Sequence, residues 1–481
     1  MRLPSDAAAK QVASRAMLVQ GIYELWGQGT TYDELRANVR TSSSLKWPLY
    51  ETSTFSFRIE RYRGVQAPAE HTRAIVESFQ FLGFKGKVQI KNPDASLRIF
   101  EEYDLDARSP KYLYLGRWLA DSGRDAKNTY DLKKRHYIST TSMDAELALL
   151  TANIALAGPG KLFYDPFMGT GGFPLACAHY GAVVTGSDID GRSIRGLGGS
   201  ARRGQTGPKN VAMNFDQYRT AAQYLGGFVS DLTHTPLRLP ASSGPHPPTP
   251  YLDGIVCDPP YGIREGLKVL GPRSALLPAE RLTHAAQYQH EGYIAPKRPY
   301  SFTALLDDIL CFAAATLVPG GRLSMWMPTA NDAAALDLII PTHPALELSS
   351  VCVQPFNKWS RRLLTYRRRR RASEVTHDPV EKREYEQGTR ASELNDFRRK
   401  YFQGFRELDD MKKEFVRMKV SAGAKARDAE AQADEMEAAR VSTREKMEAA
   451  KAELRAVTQE AEAAAVQADQ FNARFDVESR T

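Results

Sequence analysis

At 481 residues, with 42% hydrophobic and 25% charged side chains, the chain is long enough for two or three domains with ample core and has an ordinary soluble composition. No stretch approaches the roughly 20 uninterrupted apolar residues of a membrane span, and the first residues lack a signal-peptide core, so a cytoplasmic protein is expected. The net charge of +8 is unevenly spread: residues 421–481 hold nine basic and thirteen acidic side chains, a net of −4, which leaves +12 on residues 1–420 and points to a polyanionic partner, most simply nucleic acid. Cys177, Cys257, Cys311 and Cys352 lie far apart in apolar segments, which reads as buried thiols, with no metal site and no disulfide framework expected.

In chain order, Ala13 to Trp26 and Thr31 to Val39 have helical spacing, and from Thr54 the pattern changes to strand alternation at Phe55 to Ile59. A helix over Thr72 to Leu82, strands over Val88 to Lys91 and Leu97 to Phe100, and a closing hairpin from Tyr112 make a small α+β module over residues 1–130. Its basic residues Arg58, Arg61, Arg63, Lys85, Lys87 and Lys91 read as exposed, suited to tracking phosphates or simply to solvation. Leu132 to Tyr137 reads as a basic linker. Thr140 to Asp144 then offers a cap for a helix over Ala145 to Ala155, placed to close over a bound ligand.

Lys161 to Pro166 is a short strand, followed by Phe167-Met168-Gly169-Thr170-Gly171-Gly172 and an apolar helix, Phe173 to Tyr180. Strand, glycine turn and helix open a doubly wound nucleotide-binding sheet, where the missing Cβ lets a ligand approach the backbone. A third strand, Ala182 to Thr185, leads to Asp188, about 20 residues past the turn, where a ribose hydroxyl is expected to be held. By the same logic Asp231, ending the strand Phe228 to Ser230, is placed to receive an adenine amino group.

The stretch Gly254 to Gly262 carries the chemistry. Gly254-Ile255-Val256-Cys257 is a buried strand, which Pro259 and Pro260 end because neither donates a ladder hydrogen bond. Asp258 and the carbonyl beside Pro259 can accept both hydrogens of an exocyclic amine while Tyr261 stacks on its ring. That grip aims the nitrogen lone pair at a sulfonium methyl group, so positioning and electrostatics would supply most of the rate. Any planar amine fits such a grip: guanine N2, adenine N6 or a glutamine amide. A scaffold that only binds RNA is the non-enzymatic alternative.

Beyond this motif, residues 263–300 read as a long connection, a candidate lid. A helix is expected over 301–317, stopped by Gly320-Gly321, then a strand over Leu323 to Met327 and an edge hairpin whose arms are Leu346 to Val353 and Arg362 to Arg367. Residues 407–481 are rich in Ala, Glu and Lys. One thin heptad seam (Met447, Leu454, Ala461, Ala468, Phe475) suggests a long helix or weak coiled coil.

Taken together, Tyr130 to Tyr137 with Thr141-Ser142-Met143-Asp144, Tyr164 to Gly172, Asp258 to Gly266, Trp359 to Tyr366 and Arg399 to Phe405 resemble the catalytic subunits of the eukaryotic tRNA guanine-10 N2-methyltransferases. The resemblance spans roughly residues 1–406. It implies a THUMP-type RNA-binding module (1–130), truncated at its start, a Rossmann-like class I methyltransferase domain (131–406) and an extension (407–481). It implies S-adenosylmethionine as methyl donor, tRNA as substrate and a small zinc-binding activator subunit as partner. Carried over by position, Asp165, Gly169, Thr170 and Gly171 form the donor loop, with Thr141 and Ser142 beside it. Asp188 holds the ribose, Asp231 the adenine, and Asp258, Pro259, Pro260 and Tyr261 the guanine amine; Arg361 and Arg362 join the RNA contacts. Gly172 stands where the family usually has Ser.

Overall fold

Hydroxyl caps start the first two helices: Ser5 accepts from Ala8 N ahead of α1 (Asp6–Arg15), and Thr31 accepts from Glu34 N ahead of α2 (Tyr32–Ser43). The computed structural model describes residues 1–65, 68–105, 107–197, 200–201, 209–239, 249–264, 266–271, 296–330, 340–357, 359–370 and 385–403. Between and after those helices run β1 (Gly21–Gly29), β2 (Phe55–Tyr62), α3 (Ala69–Glu77), β3 (Ala95–Glu102) and β4 (Tyr112–Asp121). The four strands form one sheet in the order β1-β4-β3-β2, with β4 antiparallel to both neighbours and β2 parallel to β3. Alternate residues of β3 point inward, and Leu97 and Ile99 join Trp26, Leu35, Val39, Phe79, Leu113 and Leu115 in a core of their own.

This module departs from the sequence reading in three places. The helix expected over Ala13 to Trp26 ends at Arg15, and the second half of that stretch is β1, held by its pairing to β4. Val88 to Lys91 is no strand: it makes one bridge, Val88 to Phe55, before Asn92 turns the chain with a φ of 48°. Arg61, expected on the exposed face, is buried against Glu101 with a 2.9 Å ion pair. Tyr32 and Tyr103 donate to the same carboxylate, so this is an internal polar cluster rather than an outward charge.

The second part runs α4 (Ala126–Thr129), β5 (Tyr137–Ile138), α5 (Ala145–Ile154), β6 (Leu162–Asp165), α6 (Gly172–His179), β7 (Val183–Asp188), α7 (Gly191–Arg195), β8 (Ser200–Ala201), α8 (Val211–Gln217) and β9 (Tyr224–Val229). It continues with β10 (Leu252–Cys257), β11 (Lys268–Leu270), β12 (Lys297–Pro299), α9 (Phe302–Thr316), β13 (Leu317–Ala330), β14 (Leu346–Pro355), β15 (Trp359–Arg368) and α10 (Asp396–Gln403). Seven strands make one twisted sheet in the order β14-β15-β13-β10-β6-β7-β9. All run parallel from β13 to β9, while β15 is antiparallel to both β13 and β14. From β6 the chain winds outward through β7 to β9, then crosses to β10 on the other side of β6, so the strand order reverses between β6 and β10. Ligands bind at the carboxyl ends of strands flanking such a reversal.

Hydrophobic clusters cover both sheet faces. One packs α5 and α6 residues such as Leu149 and Leu175 over Phe163 and Val256; the other packs the α9 residues Leu305, Ile309 and Ala313 over Ile255 and Leu323. Gly320-Gly321 does not stop the helix, which ends at Thr316; both glycines lie within β13. The supposed linker at 132–137 is also part of the body, since Arg135 is fully buried against Tyr218 and Tyr130. Cys177 and Cys257 are buried as expected, but Cys311 and Cys352 are exposed. No helix among the described residues is long and apolar enough to cross a membrane. The candidate lid falls largely outside the described residues, and the extension at 407–481 does so entirely.

Candidate active site

Two neighbouring strand ends build the site. β6 and β10 pair in parallel through Phe163 with Gly254 and Tyr164 with Ile255, so Asp165 and, two residues beyond its register position on the neighbouring strand, Asp258 emerge at the same carboxyl edge of the sheet. After Asp165 the chain turns through Gly169 (φ 50°) and Gly171 (φ 82°), the left-handed region in which a Cβ is costly. A side chain at Gly171 would also meet Val211 at 2.7 Å. Asp165 accepts from Phe167 N with one oxygen, and its buried second oxygen has no hydrogen-bond partner among the described residues. Burial, with Asp188 and Asp258 nearby, pushes its carboxyl well above the usual carboxylate range.

Asp188, at the end of β7, accepts from Gly169 N at 2.9 Å and from Asp190 N at 2.8 Å. It therefore pins the glycine turn, and burial raises its pKa too. Asp231 sits elsewhere in the network: its two oxygens take Thr233 N, Thr233 Oγ1 and Leu270 N, tying the turn after β9 to β11. Across the glycine turn runs a strap from Ser139 to Ser142. Ser142 Oγ lies 3.0 Å from Thr170 Oγ1 and accepts from Ser139 N, while the hydroxyl of the exposed Thr141 contacts that of Ser139 at 3.3 Å. Within the same strap Thr140 Oγ1 accepts from Arg264, which follows the proline motif, so the strap touches both the glycine turn and the segment after β10.

On the acceptor side, buried Pro259 and exposed Pro260 carry the chain away from β10, and the Tyr261 hydroxyl donates a short hydrogen bond to Asp258. Burial lifts Asp258 to about 6, against the lowering effects of that hydrogen bond and of Arg361. Tyr261 also meets Trp359 edge-on at 6.3 Å, and Trp359 stacks on Phe356 at 4.5 Å.

Three contributors were not assigned from the sequence. Asn395 Nδ2 donates to Tyr261 O at 2.9 Å, and Arg398 donates to the carbonyls of Gly262 and Ile263 in short hydrogen bonds. Gly262 has φ 71°, and a Cβ there would meet Asn395 at 2.7 Å. The third is the wall of Phe356 and Trp359. Of the two arginines assigned to RNA, Arg362 donates to Thr329 Oγ1, whereas Arg361 faces Asp258 and Tyr261. In the N-terminal module Arg58, Arg63, Lys85, Lys87 and Lys91 are exposed, Lys85 beside Glu51.

A doubly wound sheet in this strand order, with a glycine turn at one strand end and an acid, two prolines and a tyrosine at the next, defines a Rossmann-like class I methyltransferase. The chain is 43% identical over 378 residues to the tRNA (guanine(10)-N(2))-methyltransferase of Saccharomyces cerevisiae, covering 76% of this chain and 83% of that protein. It is 35% identical over 375 residues to human tRNA (guanine(10)-N(2))-methyltransferase TRMT11, covering 76% and 78%. It belongs to this family. Residues 1–124 match the family model of the Tmrp11 THUMP N-terminal domain. A crystal structure of TrmN from Thermus thermophilus aligns at a TM-score of 0.33 and 17% identity, over 73% of this chain and 84% of that one.

Proposed function

We propose that the protein transfers a methyl group from S-adenosylmethionine to the exocyclic N2 of a guanine in tRNA, at position 10. The observation that carries this reading is the parallel pairing of β6 with β10, which sets the glycine turn and the Asp258 to Tyr261 grip at one cleft. The donor half suits that molecule: its ribose hydroxyls and ammonium are hydrogen-bond donors, and the cleft offers the unpaired oxygen of Asp165, the carboxylate of Asp188, the hydroxyls of Ser142 and Thr170, and bare backbone at Gly169 and Gly171. S-adenosylmethionine supplies an electrophilic methyl group. Thr141 and Asp231 complete the proposed donor residues.

At the acceptor, ionised Asp258 and the carbonyl beside Pro259 take the two amine hydrogens, and Pro260 keeps that turn rigid. Tyr261 and Trp359 bound the ring. Nitrogen thereby becomes pyramidal, with its lone pair directed across the cleft, and Asp258 stands by to receive the proton released on transfer. Guanine N2 takes part in pairing, so the base enters extruded, at a cost of a few kcal/mol.

The reading extends to residues 1–130 as an RNA-binding module whose exposed Arg58, Arg63, Lys87 and Lys91 meet phosphates, to 131–406 as the catalytic domain, and to 407–481 as a helical extension. It extends also to cytoplasmic residence and to a small zinc-binding activator subunit. The test is labelling of bulk tRNA from tritiated donor by the purified protein, with and without such a subunit, followed by mapping of the modified nucleoside. N2-methylguanosine at position 10 is expected; N6-methyladenosine or no label would overturn the reading.

A further inference from the structure

Arg361 was expected to meet phosphate, yet its surroundings are those of a reading head. Its Nε and Nη2 both donate to Gln354 Oε1, at 3.1 and 2.6 Å, which fixes the plane of the guanidinium. The same group lies over the Trp326 ring at 4.9 Å and near the Phe356 ring at 5.9 Å. Trp326 is itself held, its indole donating to Thr151 Oγ1 at 3.0 Å. Two of the five guanidinium N–H bonds are thus spent on Gln354, and the Tyr261 hydroxyl beside Asp258 stands within reach of those that remain.

We propose that Arg361 donates to O6 of the acceptor purine and so selects guanine over adenine. This rests on the reading of Asp258 as the grip on N2. Guanine carries its amine at C2 and an acceptor oxygen at C6, whereas adenine presents an amino group at C6. A guanidinium has donors only, so it forms a charge-assisted hydrogen bond with the guanine oxygen; adenine in the same pose leaves the grip empty and opposes donor to donor, and turned so that its amine enters the grip it presents C2–H where the oxygen would be. Because Gln354 and Trp326 hold the group in place before the base arrives, little freedom is lost on binding. A free carboxylate grip accepts any planar amine; the fixed arginine beside it supplies the missing discrimination.

The experiment uses two tRNA transcripts that differ at the target nucleotide, guanosine in one and 2-aminopurine riboside, which keeps the amine and lacks O6, in the other. The full-length protein and its Arg361→Met and Arg361→Lys variants are assayed on both. The wild type is expected to lose about tenfold or more in kcat/KM on 2-aminopurine. Arg361→Met is expected to lose a similar factor on guanosine and to treat the two transcripts alike, with Arg361→Lys between. Equal wild-type rates on both transcripts would overturn the proposal, even if the variants fail to fold. So would an Arg361→Met protein that loses activity equally on both, as a phosphate contact would. A wild type inactive on the guanosine transcript both with and without the proposed activator subunit would overturn the functional reading itself, and this inference with it.

Discussion

Asp258 has a charge state that is open to measurement. Its carboxyl sits at about 6 because burial disfavours the anion more than Tyr261 and Arg361 favour it. Only the ionised form can take up the proton released on transfer, so kcat/KM should fall tenfold per unit as pH drops below about 6. The Tyr261 hydrogen bond lowers that pKa, so Tyr261→Phe should move the acid limb to higher pH; a limb that stays put or moves lower would count against the assignment. Asp258→Ala should abolish transfer while calorimetric donor binding stays near wild type, because the grip acts chiefly in the transition state. Near-normal turnover in that variant would remove Asp258 from the mechanism. The acid, the prolines and the tyrosine were legible in the sequence because they are contiguous. The place of Arg361 was not: on β15 it adjoins Arg362, and nothing local says which of two neighbouring arginines turns toward β10.

Among the elements, the short segment from Asn395 into α10 holds the acceptor loop from behind. Asn395 is buried and bonded to Tyr261 O, so Asn395→Ala should cost about 1–3 kcal/mol locally and lower kcat, with tRNA binding little changed. Unchanged kcat would show that the loop needs no such brace. Element legibility followed range of contact. The strands β6 and β10 and the helix α9 announce themselves through continuous apolar runs and punctuating prolines or glycines. By contrast Gly21 to Gly29 carries apolar residues at helical and strand spacing alike, and only its pairing with β4, nearly a hundred residues on, decides the matter. Arg61 is the same lesson for charge, since its partner Glu101 lies on the neighbouring strand. Arg61→Met leaves Glu101 buried without its cation and should destabilise the protein by about 3–5 kcal/mol, read as a lowered melting midpoint. Exposed Arg58→Ala should leave that midpoint unmoved and weaken only tRNA binding.

For the molecule as a whole, residues 1–420 carry +12, and the exposed basic residues of the N-terminal module are one part of that charge. Binding of tRNA should therefore weaken steeply with salt, by about tenfold or more between 50 and 200 mM, as counterion release requires. A flat affinity over that range would contradict the electrostatic argument. Composition alone made the polyanion legible, but not how the two parts meet. Helix α1 joins them: Arg15 donates to Asn153 Oδ1 of α5 at 3.0 Å, and Asn153 Nδ2 returns a bond to Arg15 O at 2.8 Å.

Asn395 and Arg398 also make the acceptor loop depend on chain that lies beyond the sheet. Every strand of the large sheet is complete once residue 368 has been made, yet the carbonyls of Tyr261, Gly262 and Ile263 find their donors only about thirty residues later. A chain that ends at residue 368 therefore has every strand of that sheet and lacks the donors that hold the acceptor loop in place.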